Sequence, residues 1–202
     1  MKEYQQQETW SENVILVDAD HIDQVAFNLI VNFERMLERR IPQADLARWI
    51  DCIALDGGLM PNNEEQSTQV ILLHSKDHFE NFVPANFNDE LDGKAFRDNL
   101  GEFCISSVRL EKITTMEDLF IQSMTHLLQQ PNIKNLLLIS NDVYLDQVLM
   151  NLHQTKVEQG KHVHIFTMEP VVNGTYSQQL LGFSVMAALG IKGEELERMK
   201  RP

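Results

Sequence analysis

The chain has 202 residues, 43% of them hydrophobic, which is enough for one buried core of ordinary domain size. Its 30 acidic residues outnumber its 17 basic ones, and the formal net charge of -13 disfavours loose, non-specific coating of nucleic acid. Only two isolated cysteines occur, residues 1–13 lack an apolar signal region and no apolar run approaches membrane-spanning length, so we predict a cytoplasmic protein without membrane insertion.

The first predicted strand covers residues 14–17, a continuous apolar run that ends at Asp18. Such a run is typical of a central strand that is buried on both faces. Apolar side chains then recur at helical spacing over residues 22–39, with Asp20 as the expected N-cap and Asp23 three residues later. The pattern predicts a long amphipathic helix directly after the strand.

The remaining elements alternate in the same way. Further strands are predicted over residues 69–74, 102–110, 136–139 and 162–167. Further helices are predicted from Pro42 to the Gly57–Gly58 pair and over residues 116–130, 143–159, 176–189 and 194–200. The loop-rich region between residues 76 and 101 is expected to hold two short helices.

Strands that alternate with helices predict right-handed crossovers and an α/β fold. We expect a three-layer, doubly wound, mostly parallel five-stranded sheet of order 3-2-1-4-5 with extra C-terminal helices. Residues 1–12 are predicted to be a flexible N-terminus, residues 13–170 the α/β domain, and residues 171–202 a helical extension packed on the same domain. Capping of the sheet edge, a dimer contact and a cover over the crevice all remain open as roles for this extension.

Carboxylates follow the two strands between which the direction of winding reverses, where a crevice opens beyond the strand ends. Asp18, Asp20 and Asp142 all fall there. Carboxylates within about 5 Å of one another repel by about 3 kcal/mol per pair at an effective dielectric near 20. A divalent cation such as Mg²⁺ relieves this repulsion and activates water for attack on phosphate esters. Phosphoryl chemistry is therefore the natural enzyme hypothesis.

Four segments of the chain resemble a known family. Residues 15–21 (ILVDADH) and 136–142 (LLLISND) are similar to the signature strand ends of the NYN branch of PIN-like ribonucleases. Residues 112–128 resemble that family's segment in which an aspartate opens a helix, with Asp118 at the matching place, and residues 160–165 resemble its glycine-led final strand.

The resemblance implies an endoribonuclease that depends on Mg²⁺ or Mn²⁺ and acts on RNA. It implies that three carboxylates are both the catalytic residues and the metal ligands: Asp18, Asp118 and Asp142. Four further residues are candidates for an accessory role: Asp20, His21, Asn141 and Asp146.

This sequence departs from the family pattern at three places. The family usually has Asn at His21, a second Asp at Tyr144 and a further acid at Met124. Two hypotheses follow. One is an active metal-dependent nuclease, and the other is a non-catalytic PIN-like module that binds protein partners or forms a homo-oligomer through its C-terminal helices.

A second resemblance is to phosphatases of the haloacid-dehalogenase type. In that comparison Asp18 is the nucleophile, Asp20 the acid/base, Ser75 the phosphate-binding hydroxyl and Lys112 the lysine. A long helix that begins directly after Asp20 argues against this assignment, because it leaves no room for the hairpin that usually follows the nucleophile.

Most of these acids also have a structural explanation. Asp20 is explained equally by helix capping, Thr115 with Asp118 forms a capping-box pattern, and Asp146 fits a solvated charge. Asp18 is harder to explain in this way, because a carboxylate at the end of a buried strand needs hydrogen-bond donors or a cation.

Overall fold

The computed structural model describes residues 10–59, 67–76, 79–83, 91–111, 113–155, 160–170 and 176–199. The strands in these ranges are β1 (Asn13–Asp18), β2 (Ala44–Asp45), β3 (Ser67–His74), β4 (Phe82–Val83), β5 (Ala95–Asp98), β6 (Gly101–Arg109), β7 (Asn135–Ile139), β8 (His162–Thr167) and β9 (Ser177–Leu180). The α-helices are α1 (Ala19–Leu37), α2 (Leu46–Asp56), α3 (Met116–Leu128), α4 (Leu145–Gln154), α5 (Leu181–Ala188) and α6 (Gly193–Met199). A 3-10 turn, Asp142–Tyr144, leads into α4.

Seven strands form one mixed sheet in the order β5-β6-β3-β1-β7-β8-β9. Its neighbouring strands are parallel except for β5 and β6, which are antiparallel. The α/β class and the mostly parallel sheet are confirmed, whereas the predicted five-stranded sheet is wrong because β5 and β9 extend it at the two edges. Both edge strands have only four residues and no continuous apolar run, so the sequence pattern does not reveal them.

The central strand β1 is buried on both faces, as predicted. Ile15 and Val17 belong to a core cluster shared with α1, α2 and α5, whereas Leu16 belongs to a second cluster shared with α3 and α4. Helices therefore cover both faces of β1. In the part of the chain that the structure describes, no helix has both the length and the apolar character needed to cross a membrane.

Helix α1 begins earlier than predicted, at Ala19 instead of after Asp20. Asp18, not Asp20, is its N-cap, and the Asp18 side chain accepts a hydrogen bond from the backbone N–H of His21 at 3.0 Å. The Asp20 carboxylate accepts instead from Ser75 at the end of β3. Local sequence rules favour Asp20 as the cap, but this residue makes a tertiary contact with Ser75 instead.

Helix α2 begins at Leu46 and not at Pro42. The preceding residues Ala44–Asp45 pair with β4, and the Asp45 side chain caps the helix by accepting from Arg48 N at 3.1 Å. Its predicted end is confirmed, because Gly57 is the C-cap. A Cβ atom at Gly57 would lie 2.3 Å from Leu137 Cδ2, so only glycine lets α2 approach the sheet this closely.

Three other helix predictions need correction. No described residue between 76 and 101 is helical, and this region contributes β4 and β5. Residues 177–180 form β9 rather than the start of a helix, because parallel pairing with β8 outweighs local helix preference there. The helix predicted over residues 143–159 begins with the 3-10 turn and continues as α4, and residues 156–159 lie outside the described ranges.

Candidate functional site at the carboxyl edge of the sheet

Asp18 lies at the end of the central strand and is 2% exposed. Its Oδ1 accepts from the backbone N–H of His21, and its Oδ2 accepts from the phenol hydroxyl of Tyr144. Burial raises the pKa of Asp18 above its usual value, although the hydrogen bonds from Tyr144 and His21 oppose the rise. Each oxygen of this carboxylate therefore already has a donor from the protein.

Tyr144 reaches Asp18 from the 3-10 turn that follows β7. Its ring is buried and packs against Phe120 of α3, with ring centroids 5.6 Å apart. Burial and the neighbouring charge of Asp18 raise the pKa of Tyr144 far above its usual value, so the phenol keeps its proton. Tyr144 is thus a fixed hydrogen-bond donor to Asp18.

A row of buried polar side chains crosses three strands at this edge. The core cluster shared with α3 and α4 contains Leu16, Leu138 and Ile165. Two residues further along the chain from these come, in the same order, Asp18, Ser140 and Thr167. Strands β1, β7 and β8 are paired in register up to Val17, Ile139 and Phe166, so the next residue of each strand falls in one row. Among the described residues, the buried Thr167 hydroxyl has no hydrogen-bond partner.

His21 lies in the first turn of α1, close to two of the predicted carboxylates. Burial lowers its pKa, whereas the negative charges of Asp18 and Asp142 act in the opposite direction. Asp142 itself accepts a hydrogen bond from the backbone N–H of Glu169, at 3.1 Å, which ties the β7 end to the segment after β8. His21 therefore lies within the electrostatic reach of both Asp18 and Asp142.

Asp20 and Asp23 tie α1 to the chain after β3. The backbone N–H of Ser75 donates to Asp20 Oδ2 at 3.0 Å and the Ser75 hydroxyl donates to the same oxygen. The buried Asp23 carboxylate accepts from Asn81, through its backbone N–H at 2.8 Å and its side-chain amide at 3.2 Å. Lys76 lies 3.6 Å from the same carboxylate. These contacts fix one wall of the crevice.

Of the other predicted residues at this edge, Asp118 and Asn141 form local hydrogen bonds and Asp146 is exposed. Asp118 is exposed, and its Oδ2 accepts from the hydroxyl of Thr115 at 2.7 Å while Thr115 caps α3. Asn141 caps the 3-10 turn by accepting from Val143 N at 3.1 Å. Asp146 is exposed in the first turn of α4. Among the acids of α3, Glu117 and not Asp118 contributes to the raised pKa of Tyr144. Burial and Asp18 are the larger causes.

The donor set does not fit a divalent cation as it stands. Mg²⁺ and Ca²⁺ need carboxylate oxygens at about 2.0 to 2.6 Å in a shell of six or more ligands. Both Asp18 oxygens have protein donors and the Asp118 carboxylate is bonded within its own helix cap. Across the described ranges, no group of three or more His, Cys, Asp and Glu side chains is placed to hold a metal ion.

The fold and the site together define an α/β protein with a buried carboxylate at the carboxyl edge of its sheet, held by a tyrosine. The chain belongs to DUF6621, a family of unknown function whose model matches residues 7–196. No curated protein and no solved structure matches the chain.

Sequence reasoning missed three residues of this site. In the sequence Tyr144 stands out only as a departure from a family pattern, and a tyrosine two residues after Asp142 is the available signal. The sequence matches Ser75 to phosphate binding, whereas in the structure it is a partner of Asp20. Thr167 carries no sequence signal, because a threonine at a strand end is ordinary.

Proposed function

We propose that this chain is a catalytically degenerate PIN/NYN-like domain that acts by binding a protein partner. The observation that carries the proposal is the hydrogen bond from Tyr144 to Asp18. In the family that the sequence resembles, an acid usually stands at the position of Tyr144. A phenol there replaces a negative charge with a hydrogen-bond donor, so it occupies an Asp18 oxygen from within the protein instead of helping to hold a cation.

Charge and burial support the same proposal. The Asp18 carboxylate is almost inaccessible to solvent, and burial raises its pKa above the usual value. The net charge of -13 disfavours contact with an RNA backbone. We propose the cytoplasm as its location, since Cys52 and Cys104 are both free thiols.

One observation favours the alternative of an active Mg²⁺- or Mn²⁺-dependent ribonuclease. His21 Nε2 and Asp20 Oδ1 are buried atoms without a hydrogen-bond partner among the described residues. His21 also lies in the field of Asp18 and Asp142. A rotation of Tyr144 away from Asp18 would leave these groups around one crevice.

The phosphatase alternative has less support. Its nucleophile would be Asp18, which is buried and has both oxygens hydrogen-bonded. Helix α1 begins at Ala19, so there is no hairpin directly after that residue. Ser75, the residue matched to phosphate binding, instead donates to Asp20.

An RNA cleavage assay tests the proposal. The purified chain and its Asp18→Asn variant are incubated with labelled single-stranded RNA and Mg²⁺ or Mn²⁺, and circular dichroism checks that both are folded. We expect no cleavage by the wild-type chain above the level of the variant. Metal-dependent cleavage by the wild-type chain that the variant loses would refute degeneracy and establish the nuclease.

A further inference from the structure

A serine and a histidine are hydrogen-bonded to each other at the carboxyl ends of β3 and β6. His74 Nε2 and Ser107 Oγ lie 2.6 Å apart, and His74 Nδ1 lies 2.7 Å from the backbone oxygen of Lys76. A carbonyl oxygen can only accept, so Nδ1 carries the proton, and the neutral imidazole presents the lone pair of Nε2 to the serine. The Ser107 hydroxyl is therefore the donor, and His74 is placed to take its proton.

The sheet fixes the position of both side chains. Leu72 and Ile105 belong to the core cluster shared with α1, α2 and α5. Two residues further along their strands come His74 and Ser107, which therefore share that face of the sheet. The backbone N–H of Ser107 donates to Asp92 Oδ1 at 2.8 Å, which anchors β6 at this residue. Both side chains are half-buried, so a molecule from solvent can reach them.

A small apolar cavity adjoins the pair. Its volume is about 10 Å³, and its apolar lining includes Leu72, Phe79 and Phe82. The Phe79 ring packs edge-on against His74, with ring centroids 6.0 Å apart. Leu72 is the partner of Ser107 in the parallel ladder of β3 and β6. The cavity has room for a group about the size of one water molecule, such as a methyl group.

Basic side chains stand at the same strand ends. Lys76 follows β3, and its ammonium lies 3.6 Å from the buried Asp23 carboxylate. Arg109 is the last residue of β6 and is paired with His74 in the ladder, so it shares the face of the sheet that carries Ser107. Positive charge beside a serine stabilises the oxyanion that forms when the hydroxyl attacks a carbonyl carbon. A nucleophile, a base and an acceptor that orients the base are thus combined with favourable charge.

We propose that Ser107 and His74 form a hydrolytic dyad that acts on esters of small acyl groups such as acetyl. Ser107 Oγ attacks the carbonyl carbon while its proton passes to His74 Nε2. The bond from this carbon to the alcohol oxygen then breaks, and Nε2 gives the proton to the departing alcohol. Water cleaves the acyl-serine by the same route, which releases the acid and restores the hydroxyl.

The dyad lies away from the acidic site. Asp18 follows Leu16 of the other core cluster by two residues, so its side chain is on the opposite face of the sheet from Ser107. The dyad therefore goes beyond the proposed function and does not rest on it.

Labelling with a biotin-tagged fluorophosphonate tests the proposal, because this probe bonds to activated serines with loss of fluoride. Peptide mass spectrometry locates the label, and circular dichroism checks that each variant is folded. We expect the label on Ser107 of the wild-type chain and its absence there in Ser107→Ala. In His74→Gln it is expected to form at least about 100-fold more slowly, since a general base contributes a factor of about 10² to 10⁴.

Ser106→Ala is the matched control. Ser106 is the next residue back along β6, and its partner Ile71 belongs to the other core cluster, so its side chain is on the opposite face. This variant is expected to label at the wild-type rate. Absence of label from Ser107 of the wild-type chain, or an unchanged rate in a folded His74→Gln, would overturn the dyad.

Hydrolysis of two esters gives a second readout that does not need the His74 variant. We expect the wild-type chain to cleave p-nitrophenyl acetate at least about tenfold faster than p-nitrophenyl hexanoate, because the longer acyl chain exceeds the cavity. Rates are taken above those of Ser107→Ala. Equal rates with the two esters would overturn the assignment to small acyl groups, and equal rates of the wild-type chain and Ser107→Ala would overturn the dyad. None of these outcomes depends on divalent cations or RNA, so a failure here leaves the degeneracy of the acidic site standing.

Discussion

The phenol hydroxyl of Tyr144 donates a hydrogen bond to the carboxylate of Asp18, across 126 residues of chain. Both groups are buried, and each depends on the other, because an unpaired carboxylate or phenol in this position would lose its hydration without compensation. The pair lies where strand order predicts a ligand crevice. It is therefore both a structural contact and the reason for proposing a degenerate site.

Replacement of Tyr144 by phenylalanine removes the hydroxyl group that donates to Asp18 Oδ2. We expect a loss of about 1 to 3 kcal/mol in the free energy of unfolding at neutral pH, measured by urea denaturation. Tyr176→Phe is the matched control, because the Tyr176 hydroxyl donates to Leu152 O at 3.1 Å from a half-buried position and its loss costs less. Equal losses in the two variants would contradict the special role of Tyr144.

Asp18→Asn is predicted to gain stability relative to the wild-type chain as the pH rises. The pKa of Asp18 in the folded chain lies above the 3.8 of an unperturbed aspartate. A raised pKa favours the folded chain most below pH 3.8, and this contribution is lost as the pH rises through the folded pKa. Asparagine does not titrate and still caps helices well. Melting temperatures of both proteins between pH 4 and 8 check this, and a difference that stays constant with pH would disagree.

The ends of the central strands could be predicted from sequence, whereas the Tyr144 contact could not. The apolar run before Asp18 and the helical spacing after it define β1 and α1, and parallel strands place Asp18 and Asp142 at one edge. The orientation of Tyr144 depends on its packing against Phe120, which lies 24 positions earlier on another helix. No local pattern carries such information.

Short edge strands and caps were also beyond sequence reasoning. β9 has the sequence SQQL, which is polar and has no strand period, and it exists because β8 offers it an unpaired edge. Asp18 and Asp20 were both reasonable caps by residue type. Only the position of Ser75, fixed by the pairing of β3 with β1, decides that Asp20 turns away from the helix.

A second pair of acids, Asp51 and Asp98, leads us to expect a titration near pH 6. Burial, a hydrogen bond that the protonated Asp51 donates to Asp98, and the charge of Asp98 raise the pKa of Asp51 from 3.8 to about 6. We expect the Asp51 side-chain carboxyl carbon to titrate near this pH by NMR and to move toward 3.8 in Asp98→Asn, which removes the neighbouring charge but keeps an acceptor for Leu100 N. An Asp51 midpoint unchanged in that variant would show that Asp98 is not the cause.

Because the folded pKa of Asp51 is raised, its contribution to stability is complete below pH 3.8 and is lost as the pH rises through about 6. Asp51→Asn is therefore expected to flatten the pH dependence of stability in this window and to raise the melting temperature at pH 7. Asp146→Asn, an equal change of charge at an exposed position, is the control and is expected to leave the window unchanged.

The C-terminal helix α6 is held to the end of α1 by a two-pronged ion pair. Arg39 Nε and Nη2 donate to the two Glu195 oxygens at 2.8 and 2.9 Å. Lysine cannot make this paired contact, so Arg39→Lys is expected to speed amide exchange in α6 while global stability changes little. Arg40→Lys, at an exposed pair with Glu34, is the control. Unchanged exchange in Arg39→Lys would show that α6 is held by its apolar contacts alone.

The central claim is that Tyr144 closes the acidic site to divalent cations. Isothermal titration calorimetry of Mn²⁺ into the wild-type chain and into Asp18→Asn measures this directly. We expect no saturable binding that depends on Asp18, so the two titrations should be the same. Stoichiometric binding of Mn²⁺ by the wild-type chain that Asp18→Asn abolishes would contradict it.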